Sequence, residues 1–433
     1  MKLSPARTAA YDILLKIETE HAYSSTLLAD HEKKLIPVDR GLCHEIVLGV
    51  LRRQMLLDRY IDIFTDSRKL DIEIRIILRI GLFQIYYLDR VPDHAVVNEG
   101  VGLARRARKS SARGLVNAVL RSAIREKPIL EFKDEVEQIS VETSHPEWLI
   151  RHWTEQIGYN VASELAHANN EAPPIAFRKT IKGSLIQLPD NVIESRLVAD
   201  CFVALHSSEE LRVLADSGEI YFQDEASQMV SKAVTIGPGE SFLDVCASPG
   251  GKTTALAYNV ANSREWQGDA LMIAGDLTWR RVKLLYETCQ KQNSDFVHIV
   301  QYDATEALPF DDEQFDTVLI DAPCTGTGTI RHNPEIRYFL SPDDFIRMQK
   351  TQIAILGNAS SLVRTGGRLV YSTCSLEREE NEDVCEQFLS GFGGWQRTEP
   401  AVPEIFLTRE GYARTYPHRD GLDGFFIATF QRR

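Results

Sequence analysis

Three observations predict a multidomain chain with an all-helical N-terminal domain, a small α/β insert and a C-terminal α/β domain on a doubly wound, mostly parallel sheet. Over residues 1–130 apolar residues recur at helical spacing and strand alternation is absent. From about Tyr221 short apolar runs alternate with helical stretches. The charge is divided too: residues 1–130 carry 22 Lys+Arg and 16 Asp+Glu, a net of +6, and the remainder carries 27 and 46, a net of −19.

Composition narrows the class. A length of 433 residues suits two or three domains, and 43% hydrophobic with 26% charged residues excludes a disordered chain, a collagen and a coiled-coil rod. No run approaches the ~18 apolar residues of a membrane span, so no membrane partner is expected. The opening Met1–Arg7 lacks the apolar core and cleavage site of a secretory signal. The cysteines at 43, 201, 246, 289, 324, 374 and 385 form no Cys-x-x-Cys pair, which argues against a zinc site or disulfide framework. A reduced cytoplasmic setting, no metal and a monomer are expected.

Ser4-Pro5 opens the first helix, followed by the stripe Ala6, Ala10, Ile13, Leu14, Ile17. Further stripes are Leu42–Leu51, Ile72–Tyr87 and Leu115–Leu120, and Lys127-Pro128 ends this helical domain at 130. Arg105, Arg106, Arg108, Lys109 and Arg113, with Arg121 and Arg125 beyond, form a basic cluster that suits a polyanion, although a solvated helix face has the same look. In the 131–215 segment Ser144-His145-Pro146-Glu147 resembles a capping box, and the helix it opens runs to about Asn170. After Ala172-Pro173-Pro174 come three short apolar runs, Ile175–Phe177, Leu185–Leu188 and Phe202–Leu205. In the 216–433 domain strands are expected at Ser241–Cys246, Ala270–Gly275, Phe296–Gln301, Phe315–Ile320, Arg368–Ser372 and Phe425–Phe430. Helices Lys252–Val260, Arg280–Gln290 and Phe345–Leu362 fall between them.

Ligands of such sheets sit beyond the carboxyl ends of the strands, so the residues there carry the chemistry. After the first strand comes Cys246-Ala247-Ser248-Pro249-Gly250-Gly251-Lys252-Thr253, whose glycines let backbone N–H groups approach a ligand. A phosphate loop would need glycine six residues before Lys252, where Cys246 stands. Asp276 after the second strand suits ribose hydroxyls, and Asp303 after the third suits an adenine amine; each alone is as well explained as a helix cap. Together with the Gly-rich turn they outline an adenosyl pocket. The 32-residue spacing from Asp244 to Asp276 favours S-adenosylmethionine over a nicotinamide. The last two parallel strands deliver Asp321-Ala322-Pro323-Cys324 and Ser372-Thr373-Cys374-Ser375 to one edge. A lone buried cysteine is usually a small hydrophobe. Two at a functional edge, one beside a carboxylate, suit thiolate attack on carbon 6 of a pyrimidine, with Asp321 at ring N3 and the exocyclic amine of cytosine.

These motifs, with Asp423-Gly424-Phe425-Phe426 and Gln223–Ser227, resemble the Fmu/Sun family of RNA cytosine-carbon-5 methyltransferases. Val91–Glu99 and Val116–Arg121 resemble the NusB-like RNA-binding domain of the family's bacterial small-subunit ribosomal RNA member, so the likeness spans nearly the whole chain. The resemblance implies a NusB-like domain followed by a Rossmann-like methyltransferase domain. It implies that Cys246 to Lys252, Asp276, Asp303 and Asp321 hold S-adenosylmethionine, that Cys374 attacks, and that Cys324 assists release. It further implies Lys252 at the active site, with Pro417-His418 and Asp423–Phe426 around the target base, although Lys252 equally suits packing at a helix start and Phe425 and Phe426 the core of a strand. The residues themselves leave the two cysteines interchangeable, since enzymes acting on DNA cytosine use the Pro-Cys cysteine. Ser248 and Thr325 stand where the family has alanine and serine, both mild changes. The expected activity is S-adenosylmethionine-dependent 5-methylation of a cytosine in small-subunit (16S) ribosomal RNA. The alternatives are the same chemistry on transfer RNA, another ribosomal site or DNA, a non-catalytic ribosome-assembly factor, and a nucleoside triphosphatase.

Overall fold

The computed structural model describes residues 3–263 and 270–433; Met1 and Lys2 of the opening stretch lie outside them. Contacts divide the chain into two units, Met1–Glu171 with Ile330–Leu340, and Ala172–Thr329 with Ser341–Arg433. The helical unit therefore takes in residues 131–171, which the sequence groups with the insert.

In the helical unit the expected stripes become helices Pro5–Glu20, Pro37–Arg52, Ile72–Tyr87 and Arg113–Arg125. Helix Ile72–Tyr87 buries Ile76, Ile77, Leu78, Ile80, Leu82 and Phe83, which cover all sides of the cylinder, so it lies at the centre of this core. Ser144 does not cap the following helix. It takes a left-handed φ of 57° at the end of helix Glu135–Thr143 and its hydroxyl accepts from Leu56 N–H at 3.2 Å, while Pro146 leads into Glu147–Ile157. The stretch to Asn170 is two helices, Glu147–Ile157 and Tyr159–Ala168, because Gly158 at φ 81° breaks it.

The second unit begins with four antiparallel strands, β1 Ile175–Lys179, β2 Val192–Glu194, β3 Cys201–Ala204 and β4 Ile220–Phe222, in the order β2-β3-β1-β4. The run Leu185–Leu188 is not a strand: Leu185 is 97% exposed and Val192–Glu194 takes the third place. The large sheet comprises β5 Ser241–Asp244, β6 Leu271–Asp276, β7 His298–Gln301, β8 Phe315–Asp321, β9 Val363–Thr373, β10 Trp395–Thr398, β11 Ala413–Arg414 and β12 Phe426–Arg432. Its order is β10-β12-β9-β8-β5-β6-β7, with β11 against β12. Strands β5 to β9 are parallel, while β12 runs antiparallel to β9. Neighbouring residues enter opposite cores, as Phe242, Leu319 and Val370 enter one and Leu243, Val318 and Leu369 the other. Burial on both faces explains why these strands read as short continuous apolar runs. The chain moves outward from β5 to β6 and β7, then returns to β8 beside β5, and this switch point opens a crevice at the carboxyl ends.

Candidate active site

The Gly-rich turn, Asp244, Asp276, Asp321 and Cys374 follow or close the carboxyl ends of β5, β6, β8 and β9, which border that crevice. Beyond β5, Gly250 takes φ +105°, a backbone shape that costs glycine little, and leads into helix Gly251–Asn262. Ala247 N–H donates to Gly275 O at 2.9 Å, and Gly250 N–H returns to Ala247 O at 2.7 Å across Ser248 and Pro249. Buried Arg178 of β1 donates to Gly251 O at 2.8 Å and Thr254 Oγ1 at 2.7 Å, tying the small sheet to this turn. Burial pulls its pKa down to about 10.

Carboxylates dominate the crevice. Asp244 Oδ2 accepts from Thr253 Oγ1 at 2.6 Å, while its buried Oδ1 has no partner. Burial pushes the Asp244 pKa up to about 7, with Asp321 and Asp276 adding to the effect and Thr253 and Lys252 opposing it. Asp276 at the end of β6 accepts from Ser248 N–H at 2.9 Å, Leu277 N–H at 2.8 Å and Arg281 Nε at 2.5 Å. Burial, then Asp276, Asp244 and Asp321, raise the thiol pKa of Cys246. Asp303 is exposed and its Oδ1 accepts from Thr305 N–H at 2.9 Å and Thr305 Oγ1 at 2.6 Å, which lowers its pKa.

The other wall comes from β8 and β9, where Asp321 and Ser372 are paired in register. Asp321 accepts from Ser372 Oγ at 2.9 Å and Lys252 Nζ at 2.6 Å. Burial disfavours the Lys252 ammonium, but Asp321, with Cys374 and Asp244, holds its pKa above the usual lysine value. Cys324 and Cys374 meet with their sulfurs 3.3 Å apart. The hydrogen bond with Cys374, then burial, with Cys374, Glu380 and Asp321 close by, raise the Cys324 pKa. The Phe425 ring centre lies 5.2 Å from Lys252 Nζ. Gly424 N–H donates to Gly328 O at 2.8 Å and Gly328 N–H donates to Cys374 O at 2.9 Å. A Cβ on Gly328 would stand 2.0 Å from Gly424 O, so only glycine permits this approach.

Three buried side chains behind the cysteines escape a reading of the sequence: Gln352, Glu380 and Asn381. The run Glu377–Asp383 looks like a solvated acidic stretch, and its nearness to Cys374 in the chain is the one signal that marks it.

Carboxylates around a Gly-rich turn, one with an orphaned buried oxygen, fit a cationic nucleoside ligand. S-adenosylmethionine, with its ammonium, sulfonium and ribose hydroxyls, matches that chemistry. A triphosphate would face Asp244, Asp276 and Asp321, and the Thr253 hydroxyl and Lys252 ammonium already serve two of them. Fold and crevice thus define an S-adenosylmethionine-dependent methyltransferase. The family model for 16S rRNA methyltransferase RsmB/F matches residues 232–431, and that of the NusB family matches residues 4–125. The chain is 33% identical to the probable ribosomal RNA small subunit methyltransferase B of Bacillus subtilis, covering 100% of both chains. It is 33% identical to the ribosomal RNA small subunit methyltransferase B of Thermus thermophilus, covering 100% of this chain and 99% of that one. The crystal structure of PH0851 superposes with a TM-score of 0.84 at 25% identity, covering 100% of this chain and 99% of that one. The chain belongs to the ribosomal RNA small subunit methyltransferase B family, whose members are S-adenosylmethionine-dependent RNA methyltransferases.

Proposed function

We propose that the chain methylates carbon 5 of a cytosine in small-subunit ribosomal RNA through a covalent Cys374 adduct at carbon 6, in a cytoplasmic setting. The observation that carries this reading is the thiol pair, 3.3 Å apart, beside the Asp321–Lys252 ion pair at adjacent strand ends. When bound, S-adenosylmethionine supplies an electrophilic methyl group. Asp244 and Asp276, with the turn Cys246–Lys252, would hold it; Asp303 would lie toward the adenine, and Asp321 at the border with the base. The target base must leave its stack to reach these groups. Cys374, as thiolate, forms the bond to carbon 6, and the ring electrons this displaces make carbon 5 nucleophilic. As the thiolate adds, N3 takes a proton from the Lys252 ammonium held on Asp321 and gives it back on elimination, while Asp321 accepts from N3–H and the exocyclic amine, so the charge that develops is neutralised. After transfer a base removes the carbon 5 proton, the carbon–sulfur bond breaks, and its electron pair returns to Cys374. Cys324, its sulfur 3.3 Å from that of Cys374, donates a proton to the departing sulfur.

The test incubates wild type, Cys324→Ala and Cys374→Ala with S-adenosylmethionine and unmodified small-subunit ribosomal RNA, followed by a denaturing gel. The expected result is a retarded protein–RNA band with Cys324→Ala and neither band nor methyl transfer with Cys374→Ala. The reverse pattern would exchange the roles of the two cysteines. No methyl transfer by wild type, with 5-methylcytosine instead missing from transfer RNA of a deletion strain, would move the reading to another substrate.

A further inference from the structure

Each active-site cysteine is followed by a hydroxyl residue, Thr325 after Cys324 and Ser375 after Cys374. Both hydroxyls end on one buried carboxylate. Glu380 Oε1 accepts from Ser375 Oγ at 2.6 Å and from Thr325 Oγ1. Its Oε2 accepts from Thr325 N–H at 2.9 Å and from Gln352 Nε2 at 3.0 Å. Gln352 also donates to Pro323 O at 2.9 Å, on the other side of Cys324. Asn381 does the same for Cys374: it accepts from Thr373 Oγ1 at 2.6 Å and donates to Ser375 O at 2.8 Å. The backbone is thus gripped before and after each cysteine.

Four donors fill the lone-pair sites of an ionised carboxylate. No cation is among them, so a buried charge here is a poor source of stability. What convergent, fully satisfied hydrogen bonds do provide is a fixed geometry. We propose that Glu380 is a positioning residue for methyl transfer: through Thr325 and Ser375 it sets the two cysteines in register with each other. It touches neither the base nor the methyl donor. The inference rests on the cysteine chemistry proposed above, but its geometric part can be measured without RNA.

Glu380→Ala is the test, because a glutamine could keep all four bonds by turning its amide nitrogen toward the two hydroxyls, which also accept, whereas alanine removes both acceptor oxygens. The expected result is a fall in kcat of about 100-fold, as for a misplaced reacting group, with KM for RNA and S-adenosylmethionine changed little. Diamide, a thiol oxidant, should link Cys324 to Cys374 quickly in wild type and at least about tenfold more slowly in the variant, read by mass spectrometry of the joined peptides. If Glu380→Ala does not fold, Thr325→Val and Ser375→Ala take its place, each expected to lower kcat and slow the cross-link. Wild-type kcat and wild-type cross-linking in Glu380→Ala, or in both hydroxyl variants, would overturn the proposal. Slowed cross-linking in variants of a wild type that methylates no ribosomal RNA would keep the clamp and discard the cysteine chemistry.

Discussion

Asp244 joins sequence, burial and ligand chemistry in one side chain. It closes β5, is 1% exposed, and leaves one oxygen without a partner. Its folded pKa of about 7 arises from burial first, with Asp321 and Asp276 adding to it. An unfolded aspartate titrates near 3.9. Between roughly pH 4 and 7 the folded chain therefore holds a proton that the unfolded chain has lost, and stability falls as pH rises, by up to roughly 1.4 kcal/mol per unit. Above pH 7 both states are ionised and the cost is constant. Asp244→Asn removes the titration but keeps an acceptor for Thr253. Urea midpoints of the catalytic unit, followed by hydrogen exchange from pH 5 to 8, should separate progressively with the variant ahead at high pH. Midpoints that run parallel across this range would show that Asp244 does not titrate there. A cationic ligand relieves the same cost by favouring the carboxylate. Binding of S-adenosylmethionine near pH 7 should therefore release a fraction of a proton, measurable by calorimetry in buffers of different ionisation enthalpy.

Among helices, the structure separates basic residues that stand together in the sequence. Helices Asp93–Arg106 and Arg113–Arg125 flank a groove of about 600 Å³ lined by His94, Asn98, Arg121 and Arg125 among others. Arg106 is bound by both oxygens of Asp12, at 2.6 and 2.9 Å, and Lys109 by Asp71 at 2.8 Å. Arg105, Arg108 and Arg113 are exposed. Replacing these three with alanine should weaken RNA binding and reduce the salt slope of log affinity by about 1 for each phosphate left without its arginine. Arg106→Ala should leave that slope nearly unchanged. Filter binding between 50 and 200 mM salt checks both, and an unchanged slope in the triple variant would place the RNA elsewhere. The elements legible in the sequence are those set by local pattern. Helix Ile72–Tyr87 and the strands around Leu243, Val318 and Leu369 are written in their own apolar spacing, and Asp276, Asp321 and Cys374 follow from where the strands stop. Ser144 reads wrongly as a cap because its hydroxyl is taken by Leu56 N–H, a partner 88 residues away that no local pattern shows. Glu380 is not legible because its role is made by partners 55 and 28 residues away in the chain, Thr325 and Gln352.

Across the whole molecule, the chain passes between its two units three times, after residues 171, 329 and 340. The middle excursion, Ile330–Leu340, begins six residues after Cys324 and lies in the helical unit. There Arg337 is fully buried and donates to Thr143 O and Asn170 Oδ1, each at 2.9 Å. Glu335 accepts from Ser24 N–H at 2.6 Å, and Tyr338 donates to Leu51 O at 2.7 Å. Burial pulls the Arg337 pKa down to about 10, so the guanidinium stays charged at neutral pH and its neutral acceptors carry the solvation it has lost. Arg337→Ala strands those acceptors and leaves a cavity, which should cost about 3 kcal/mol. For a unit of this size that is a fall of on the order of 10 °C in its melting temperature. The covalent path from Cys324 into this segment makes a second consequence follow. Once the helical unit melts, the chain beyond Thr329 loses its anchor, and methyl transfer should fail while the catalytic unit is still folded and binds S-adenosylmethionine. Scanning calorimetry, cofactor binding and activity measured on the variant across one temperature range separate the two events. Activity that persisted until the catalytic unit melted would mean that the geometry at Cys324 is held within the catalytic unit alone.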